Sequence, residues 1–302
     1  MAGKREIQTA PLNIPPQCKE VAPAVGTPSD HKDVSAAAPA VVTMQTLLDQ
    51  PPVQPDWIVH DLLPAGVSLL AGPGRVDKPL LANQLGLDVA AGRPFLGHFP
   101  LSQGRVLYLA LAESALQVRR RARTLLNGAS CPDGLYFTFR WLPFRQGGLA
   151  DLEDTVASLE RLRLVIVDPV EFVQPLRADP ALSGGYRTRE QRTPEVATGF
   201  FLPLYQLALR YKLAILLLHH LPDDWPSNRR DPLAGLSPTG LTPASACNLL
   251  LTPGTDPCAC ALHIAGPDVP ERRLPLVFDS AQGCWRWTQG SELHAQTHRP
   301  VP

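Results

Sequence analysis

The chain has 302 residues, and Lys plus Arg equals Asp plus Glu at 28 each, so the formal net charge is zero. This balance gives no support to nucleic-acid binding driven by overall charge, and any such site has to be local. The longest apolar run, over 213–218, is too short to span a bilayer, so we predict no membrane contact. Six scattered cysteines predict a reducing, cytoplasmic setting.

The N-terminal segment differs in composition from the rest of the chain. Residues 1–50 are rich in Ala, Pro, Ser, Thr and charged residues, and they have no sustained hydrophobic period. Such a segment cannot bury enough apolar surface to fold alone. We predict disorder over 1–50 with a short helix near 43–48, one folded domain over 51–288, and a loose tail over 289–302.

A buried strand followed by a glycine-rich turn opens this domain. Residues 66–79 read GVSLLAGPGRVDKP, which predicts a strand over 67–71, then a loop, then a helix that Lys78 begins. This is the frame of a phosphate-binding loop, G-x-x-x-x-G-K-[ST], whose backbone N–H groups wrap a triphosphate at a helix N-terminus. The candidate nucleotide-binding residues are Gly72, Pro73, Gly74, Arg75, Val76, Asp77, Lys78 and Pro79.

Two positions of this loop depart from the motif. Asp77 stands where the motif has its second glycine, and Pro79 stands where it has a hydroxyl residue. Glycine permits an unusual φ and a close approach to phosphate, whereas aspartate adds a negative charge that repels phosphate and neutralises Lys78. Proline removes an N–H donor and the hydroxyl that would hold Mg²⁺. Two forms of the loop remain open: an empty hollow the size of an anion, or a hollow filled by the Asp77 side chain.

Buried strands alternate with helices through the next part of the chain. Near-continuous apolar runs such as RVLYLALA and LVIVD predict strands covered on both faces, and therefore a largely parallel sheet. Pro203 is expected to kink the last helix. The predicted elements are a helix over 80–91, a strand over 105–112, a helix over 113–126, a helix over 149–161, a strand over 162–168, a polar loop over 173–194, a helix ending near 211 and a strand over 212–220.

The composition changes after residue 220. Residues 221–243 form a loop rich in Pro and Gly, and short β-like runs separated by turn signals follow it. We predict that these runs add antiparallel strands to one edge of the sheet. They cover residues 248–252, 259–265, 274–278 and 285–288.

Six stretches of the chain, in their order and spacing, resemble one known family. They read WIVHDLLPAGVSLLAGPGRVDK, AAGRPFLGHFPLSQGRVLYLALAES, LVIVDP, LLLHH, SPTGL and LPLVFDSAQGCWRW. From about residue 57 to 287 the chain resembles the hexameric RepA-type, RecA-like P-loop ATPases, which are related to replicative DNA helicases. The resemblance implies an α/β, three-layer RecA-like P-loop NTPase sandwich. It also implies ATP and Mg²⁺ as cofactors, a ring of identical or different subunits, and DNA as a partner.

The same resemblance implies roles for residues at the ends of three strands. Lys78 matches the lysine that pairs with the outer phosphates, and Asp168 matches the acid that orients Mg²⁺ and water, so Asp168 is the candidate metal residue. His220, or its neighbour His219, matches the histidine that senses the γ-phosphate. Ligands of open α/β sheets bind at the carboxyl ends of the strands, where these residues are predicted to lie.

Two further positions depart from the family. The family has Glu-Asp at the end of the second strand, with the glutamate activating water, whereas this chain has Ala112-Glu113. One residue along a strand turns a side chain to the other face, so Glu113 is a candidate catalytic residue only if the strand end is irregular. The family's arginine near Leu249, which would reach a neighbour's γ-phosphate, is also missing.

Arginines outside the motif have two interpretations. Those between residues 119 and 123 form either a solvated helix face, which we favour, or a contact to phosphate or a neighbouring subunit. Arginines in the predicted loops are either solvated, which we again favour, or line the DNA channel of a ring. The loop arginines are Arg187, Arg189, Arg192, Arg229 and Arg230.

Two hypotheses of function follow. The favoured one is a binding or structural subunit, linked by resemblance to DNA replication or remodelling, whose nucleotide site is degenerate and whose ATP hydrolysis is weak or lost. The alternative is an active ATP-dependent DNA helicase or translocase that tolerates an unusual loop.

Overall fold

The structure is a computed structural model that describes residues 41–51, 55–174, 194–223, 233, 236 and 245–288. The chain divides into two compact units, Met1–Pro52 and Val53–Pro302. In the first unit, helix α1 (Met44–Leu48) is N-capped by Thr43, and none of its residues is buried. This is the short helix predicted near 43–48. The rest of the segment predicted to be disordered, residues 1–40, lies outside the described residues, as does the predicted tail over 289–302.

The second unit alternates strands and helices. Its helices are α2 (Lys78–Ala91), α3 (Ala115–Leu126), α4 (Gly148–Ser158) and α5 (Pro194–Tyr211), with 3₁₀ turns at Phe144–Gln146 and Val170–Phe172. Its strands are β1 (Trp57–Val59), β2 (Leu63–Pro64), β3 (Gly66–Pro73), β4 (Arg105–Ala110), β5 (Leu135–Thr138), β6 (Leu162–Asp168), β7 (Ala214–Leu221), β8 (Cys247–Pro253), β9 (Ala259–Ala265), β10 (Arg272–Asp279) and β11 (Cys284–Trp287).

Within the described residues, nine of these strands form one sheet in the order β11-β10-β9-β8-β3-β7-β6-β4-β5. The strands from β8 to β5 in that order pair in parallel. β9, β10 and β11 extend the sheet by antiparallel pairing. The α/β fold class, with a mostly parallel sheet and antiparallel strands at the C-terminal edge, is therefore confirmed.

Both faces of the sheet are covered. Alternate residues of β6 enter different hydrophobic clusters, because successive side chains of a strand point to opposite faces. Leu164 and Ile166 pack on the face that α2 and α3 cover, whereas Val165 and Val167 pack on the face that α4 and α5 cover. Coverage on both faces is the physical reason why the central strands read as continuous apolar runs.

Helix α2 begins and ends at residues with recognisable capping roles. Asp77 is its N-cap, and Gly92 follows its last residue in the left-handed region at φ 71°. A left-handed residue at this position favours glycine, which ends the helix without a Cβ clash. The helix predicted over 80–91 is thus present, and it starts two residues earlier, at Lys78.

Three predictions about the strands were wrong. β4 ends at Ala110 and not at 112, because residues 111–113 form a turn and bend. The run over 248–252 is β8, which pairs in parallel with β3, whereas an antiparallel strand was predicted. β5 was missed: it has four residues, none of them fully buried, so this edge strand lacks the apolar run that marked the others.

Other sequence expectations concern single features. No helix in the described ranges has the length and apolar character needed to cross a membrane. Pro203 lies within α5, and the kink expected there stays a prediction. The cysteines of the described residues are all free, namely Cys131, Cys247, Cys258, Cys260 and Cys284.

Candidate functional site

The predicted site residues lie at the carboxyl ends of neighbouring parallel strands. The pairing of β3 with β7 sets Gly72 opposite His220, and the pairing of β4 with β6 sets Ala110 opposite Asp168. Since β7 and β6 are themselves adjacent, these strand ends meet at one edge of the sheet. The phosphate-loop frame leaves β3 at this same edge.

Asp77 is a helix cap and does not fill the loop. Its φ of −78° is available to residues other than glycine, so the unusual φ expected there is not required. Its Oδ1 accepts a 2.9 Å hydrogen bond from Leu80 N, as N-cap carboxylates do. The side chain is exposed. The form in which the Asp77 side chain fills the hollow was therefore wrong.

The loop does not present a ring of free N–H groups either. Gly74 N donates a 2.9 Å hydrogen bond to Asp223 Oδ1. Val76 N donates to Pro73 O at 3.3 Å, and Lys78 N donates to Val76 O at 2.8 Å. These donors, which a phosphate cradle would turn towards its anion, are already bound within the chain.

Lys78 turns back onto its own loop. The residue has no exposed surface, and its Nζ donates hydrogen bonds to Gly72 O at 2.7 Å and to Pro73 O at 2.9 Å. A Cβ on Gly72 would lie 2.6 Å from Leu251 O and 3.4 Å from Lys78 Cδ, so only glycine fits where the lysine stem crosses the strand end.

The charge of Lys78 is held in an acidic environment. Burial lowers the pKa of Lys78 to about 8, while nearby carboxylates oppose this shift in the order Asp168, Glu171, Asp223 and Asp77. The expectation that Asp77 is the residue that neutralises Lys78 was therefore wrong, since it contributes least of these carboxylates.

Asp168 is buried beside a tyrosine that sequence reasoning did not single out. Asp168 is 2% exposed, and Tyr108 Oη donates a 2.7 Å hydrogen bond to its Oδ2. Burial raises the pKa of Asp168 to about 6, the Tyr108 hydrogen bond lowers it, and the charge of Glu113 raises it. Tyr108 comes from β4, where it points to the same face of the sheet as Asp168.

Glu113 also reaches this site, because the strand end is irregular. β4 stops at Ala110, so the strand alternation that would have turned Glu113 away does not extend to it. Its carboxylate accepts two hydrogen bonds from Arg121, at 2.7 and 2.6 Å. A bidentate guanidinium holds both carboxylate oxygens, so Glu113 is engaged by an ion pair.

The arginine run therefore divides in two. Arg119, Arg120 and Arg123 are exposed, in line with the favoured interpretation of a solvated face. Arg121 is different: its side chain is 16% exposed, and it acts electrostatically with Glu113 and Asp77 at the candidate site. For this one residue the solvated-face interpretation was wrong.

The two histidines point to opposite faces of β7. His219 Nδ1 hydrogen-bonds to Glu171 Oε1, and the same oxygen accepts a 3.3 Å hydrogen bond from His220 N. Burial would raise the pKa of Glu171, but the hydrogen bond and charge of His219 lower it overall. Burial and then the charge of Lys78 lower the pKa of His220. His220 is thus the histidine on the Lys78 side, while His219 holds Glu171.

Residues 33–224 match the family model described as an AAA domain. The match spans more than half of the chain. The chain belongs to the AAA domain family. Among solved structures, the ATPase domain of a helicase is similar in fold, with a TM-score of 0.54 and 12% sequence identity over 74% of this chain and 84% of that one. A search of curated proteins finds no match. With the sheet order above, these findings establish a RecA-like P-loop ATPase fold.

As a member of the AAA domain family, the chain would be expected to fit ATP with Mg²⁺, and its residues fit this pair poorly. The N–H of Gly74 is taken by Asp223, and Lys78 Nζ is taken by two carbonyls. Pro79 offers neither an N–H nor a side-chain oxygen for the metal. One oxygen of Asp168 already accepts the Tyr108 hydroxyl.

Several residues of this AAA domain site were missed in the sequence. Tyr108 and Asp223 gave no motif signal, because each acts through a partner far away in the chain. Glu171 follows the third predicted strand closely, so its position near a strand end was a usable signal. The predicted loop arginines Arg187, Arg189, Arg192, Arg229 and Arg230 lie outside the described residues.

Proposed function

We propose that this chain is a non-hydrolysing member of the AAA domain family, a binding or structural subunit whose nucleotide site is degenerate. The single observation that carries the proposal is the state of Lys78. A lysine that serves a triphosphate must offer its ammonium to the phosphate oxygens. Here the ammonium is buried and donates to Gly72 O and Pro73 O.

The charges around the loop support the same proposal. Asp168, Glu171, Asp223 and Asp77 all act on Lys78, and Glu113 acts on Asp168. The nearest arginine in the described site, Arg121, is bound to Glu113. ATP carries several negative charges, and a site in which carboxylates outnumber cations repels it.

The missing water-activating acid supports loss of hydrolysis as well. Ala112 stands at the family's glutamate position, and Glu113 is paired with Arg121 through both carboxylate oxygens. A general base needs a free lone pair within reach of the water it deprotonates. Glu113, Asp168, His219 and His220 therefore remain proposed site residues without an assigned step.

The wider setting is proposed from the resemblance alone. A ring of identical or different subunits, a contact with DNA and a link to DNA replication or remodelling would suit a subunit of this kind. The cytoplasm is the proposed location. The loops over 173–194 and 221–243, which we propose as contact regions, lie mostly outside the described residues.

Calorimetry with Mg-ATP tests the proposal directly. The unaltered chain is expected to give no tight, magnesium-dependent binding and no phosphate release in a turnover assay. The variant Asp77→Gly with Pro79→Ser restores the motif, and we expect it to gain ATP affinity. Pro132→Ser with Asp133→Gly makes the same chemical changes at a surface turn and serves as the matched control. Tight capture of Mg-ATP by the unaltered chain would refute the proposal.

An active ATP-dependent helicase or translocase is the second candidate. The observation that favours it is that Asp168 and His220 both interact electrostatically with Lys78, as the parts of a working site would. Turnover of Mg-ATP that Lys78→Ala abolishes would select this candidate over the non-hydrolysing subunit.

A further inference from the structure

One contact joins the phosphate loop to a residue that no motif contains. Asp223 Oδ1 lies 2.9 Å from Gly74 N, although the two residues are 149 positions apart in the chain. A Cβ added to Gly74 would lie 3.2 Å from the same oxygen. The carboxylate therefore packs directly against the loop backbone, at a glycine that leaves room for it.

Strand register explains why these two residues meet. β3 and β7 are neighbours in parallel register, which sets Pro73 opposite Leu221. Gly74 is the first residue beyond β3, and Asp223 is the second residue beyond β7. Parallel strands release their chains at the same edge of the sheet, so the two segments leave side by side.

The chemistry of this contact is that of a bound anion. Carboxylate and phosphate oxygens both accept hydrogen bonds from backbone N–H groups that converge at a loop before a helix. The charge of Asp223 also acts on Lys78, the loop lysine. One side chain thus engages a loop N–H and supplies part of the negative charge that Lys78 experiences.

We propose that Asp223 is a built-in anion that holds the phosphate loop closed against external phosphate. This inference rests on the proposed function, because it concerns the same loop and explains part of its low affinity. It adds a regulatory element, since withdrawal of Asp223 from Gly74 is the step that frees this N–H. The obstacle is separate from Asp77 and Pro79, which lie at the start of α2.

Binding of inorganic tripolyphosphate without magnesium tests the inference. In calorimetry at low ionic strength, Asp223→Asn and Asp223→Ala are each expected to bind it about tenfold more tightly than the unaltered chain, because a negative charge is removed next to the loop. The gain should shrink as NaCl is raised, since Asp223 is exposed and its charge is screened. Asp256→Asn is the matched control, because exposed Asp256 also accepts a backbone N–H, from Cys258 at 2.7 Å.

The amide resonance of Gly74 gives a readout that does not depend on a ligand. The hydrogen bond to a carboxylate shifts an amide proton downfield, so Asp223→Ala is expected to move the Gly74 signal upfield. Asp256→Asn is expected to leave it in place. A Gly74 signal that stays unchanged in Asp223→Ala, or an unchanged tripolyphosphate affinity in both Asp223 variants, would overturn the inference.

These results are distinguishable from a failure of the proposed function. If the unaltered chain turns over Mg-ATP, the proposed function is refuted whatever the Asp223 variants do. If Asp77→Gly with Pro79→Ser gains ATP affinity while the Asp223 variants gain none for tripolyphosphate, the proposed function stands and the role of Asp223 is rejected.

Discussion

The Tyr108 hydroxyl donates a 2.7 Å hydrogen bond to Asp168 Oδ2, between two buried side chains from neighbouring strands. The pair joins a family-type acid to a tyrosine that lies 60 residues earlier in the chain. Asp168 stays largely charged at neutral pH despite burial, because the hydroxyl opposes the rise in its pKa. This contact leads to the first testable prediction.

Tyr108→Phe is expected to cost about 1–3 kcal/mol of unfolding free energy at pH 8, the range for a buried hydrogen bond to a charged group. Burial raises the pKa of Asp168 from 3.8 to about 6, so the folded state binds more protons than the unfolded state between these values. Stability therefore falls as pH rises through this window. Without the hydroxyl the pKa rises further, so the loss should be smaller at pH 5 than at pH 8.

Urea unfolding at both pH values measures this difference, with Tyr136→Phe as the control on the neighbouring strand. Tyr136 is 39% exposed, so its hydroxyl is expected to matter little at either pH. Equal losses for Tyr108→Phe at pH 5 and pH 8 would contradict the coupling between Tyr108 and Asp168.

Lys78→Met is expected to change how stability depends on pH at the alkaline end. Burial lowers the pKa of Lys78 from 10.5 to about 8, so the unfolded state binds more protons between these values. Stability of the unaltered chain should therefore rise from pH 8 to 10, by about 3 kcal/mol at most, since one pKa unit corresponds to about 1.4 kcal/mol.

Chemical unfolding across this range measures the difference between Lys78→Met and the unaltered chain. The variant should lack the rise, whereas Lys212→Met, at an exposed position, should keep it. If both variants follow the unaltered chain, Lys78 is not held in the buried state described above.

Asp77→Ala is expected to lower the unfolding free energy by about 1 kcal/mol, the usual cost of losing an N-cap side chain. The capped N–H is that of Leu80. Asp77→Ser should keep most of the stability, because serine caps about as well as aspartate. Thermal unfolding ranks the three proteins, and an equal loss in both variants would argue against a capping role.

Arg121→Ala is expected to lower the unfolding free energy by about 2 kcal/mol, because it leaves the partly buried Glu113 carboxylate without its guanidinium. The same substitution at Arg119, Arg120 or Arg123 should change stability by less than about 0.5 kcal/mol, as surface positions do. Denaturant midpoints for the four variants test this, and similar losses at all four would place Arg121 on the solvated face after all.

The sequence by itself determined the central architecture. β6 and β9 have the bounds predicted for them, because a strand buried on both faces must be apolar along its length and its ends are marked by polar or turn residues. The strand–loop–helix frame at Lys78 was predictable for the same reason. The edge strand β5 was not, since its residues are partly exposed.

Only the tertiary structure decided what the site residues contact. Gly74 meets Asp223, Tyr108 meets Asp168 and His219 meets Glu171 because parallel strands bring their ends to one edge. The order of the strands in the sheet, which local sequence does not encode, selects these neighbours. The early end of β4 then decided that Glu113 faces Arg121. Local pattern fixes which segments are strands, and strand pairing over long separations fixes which charges act on one another.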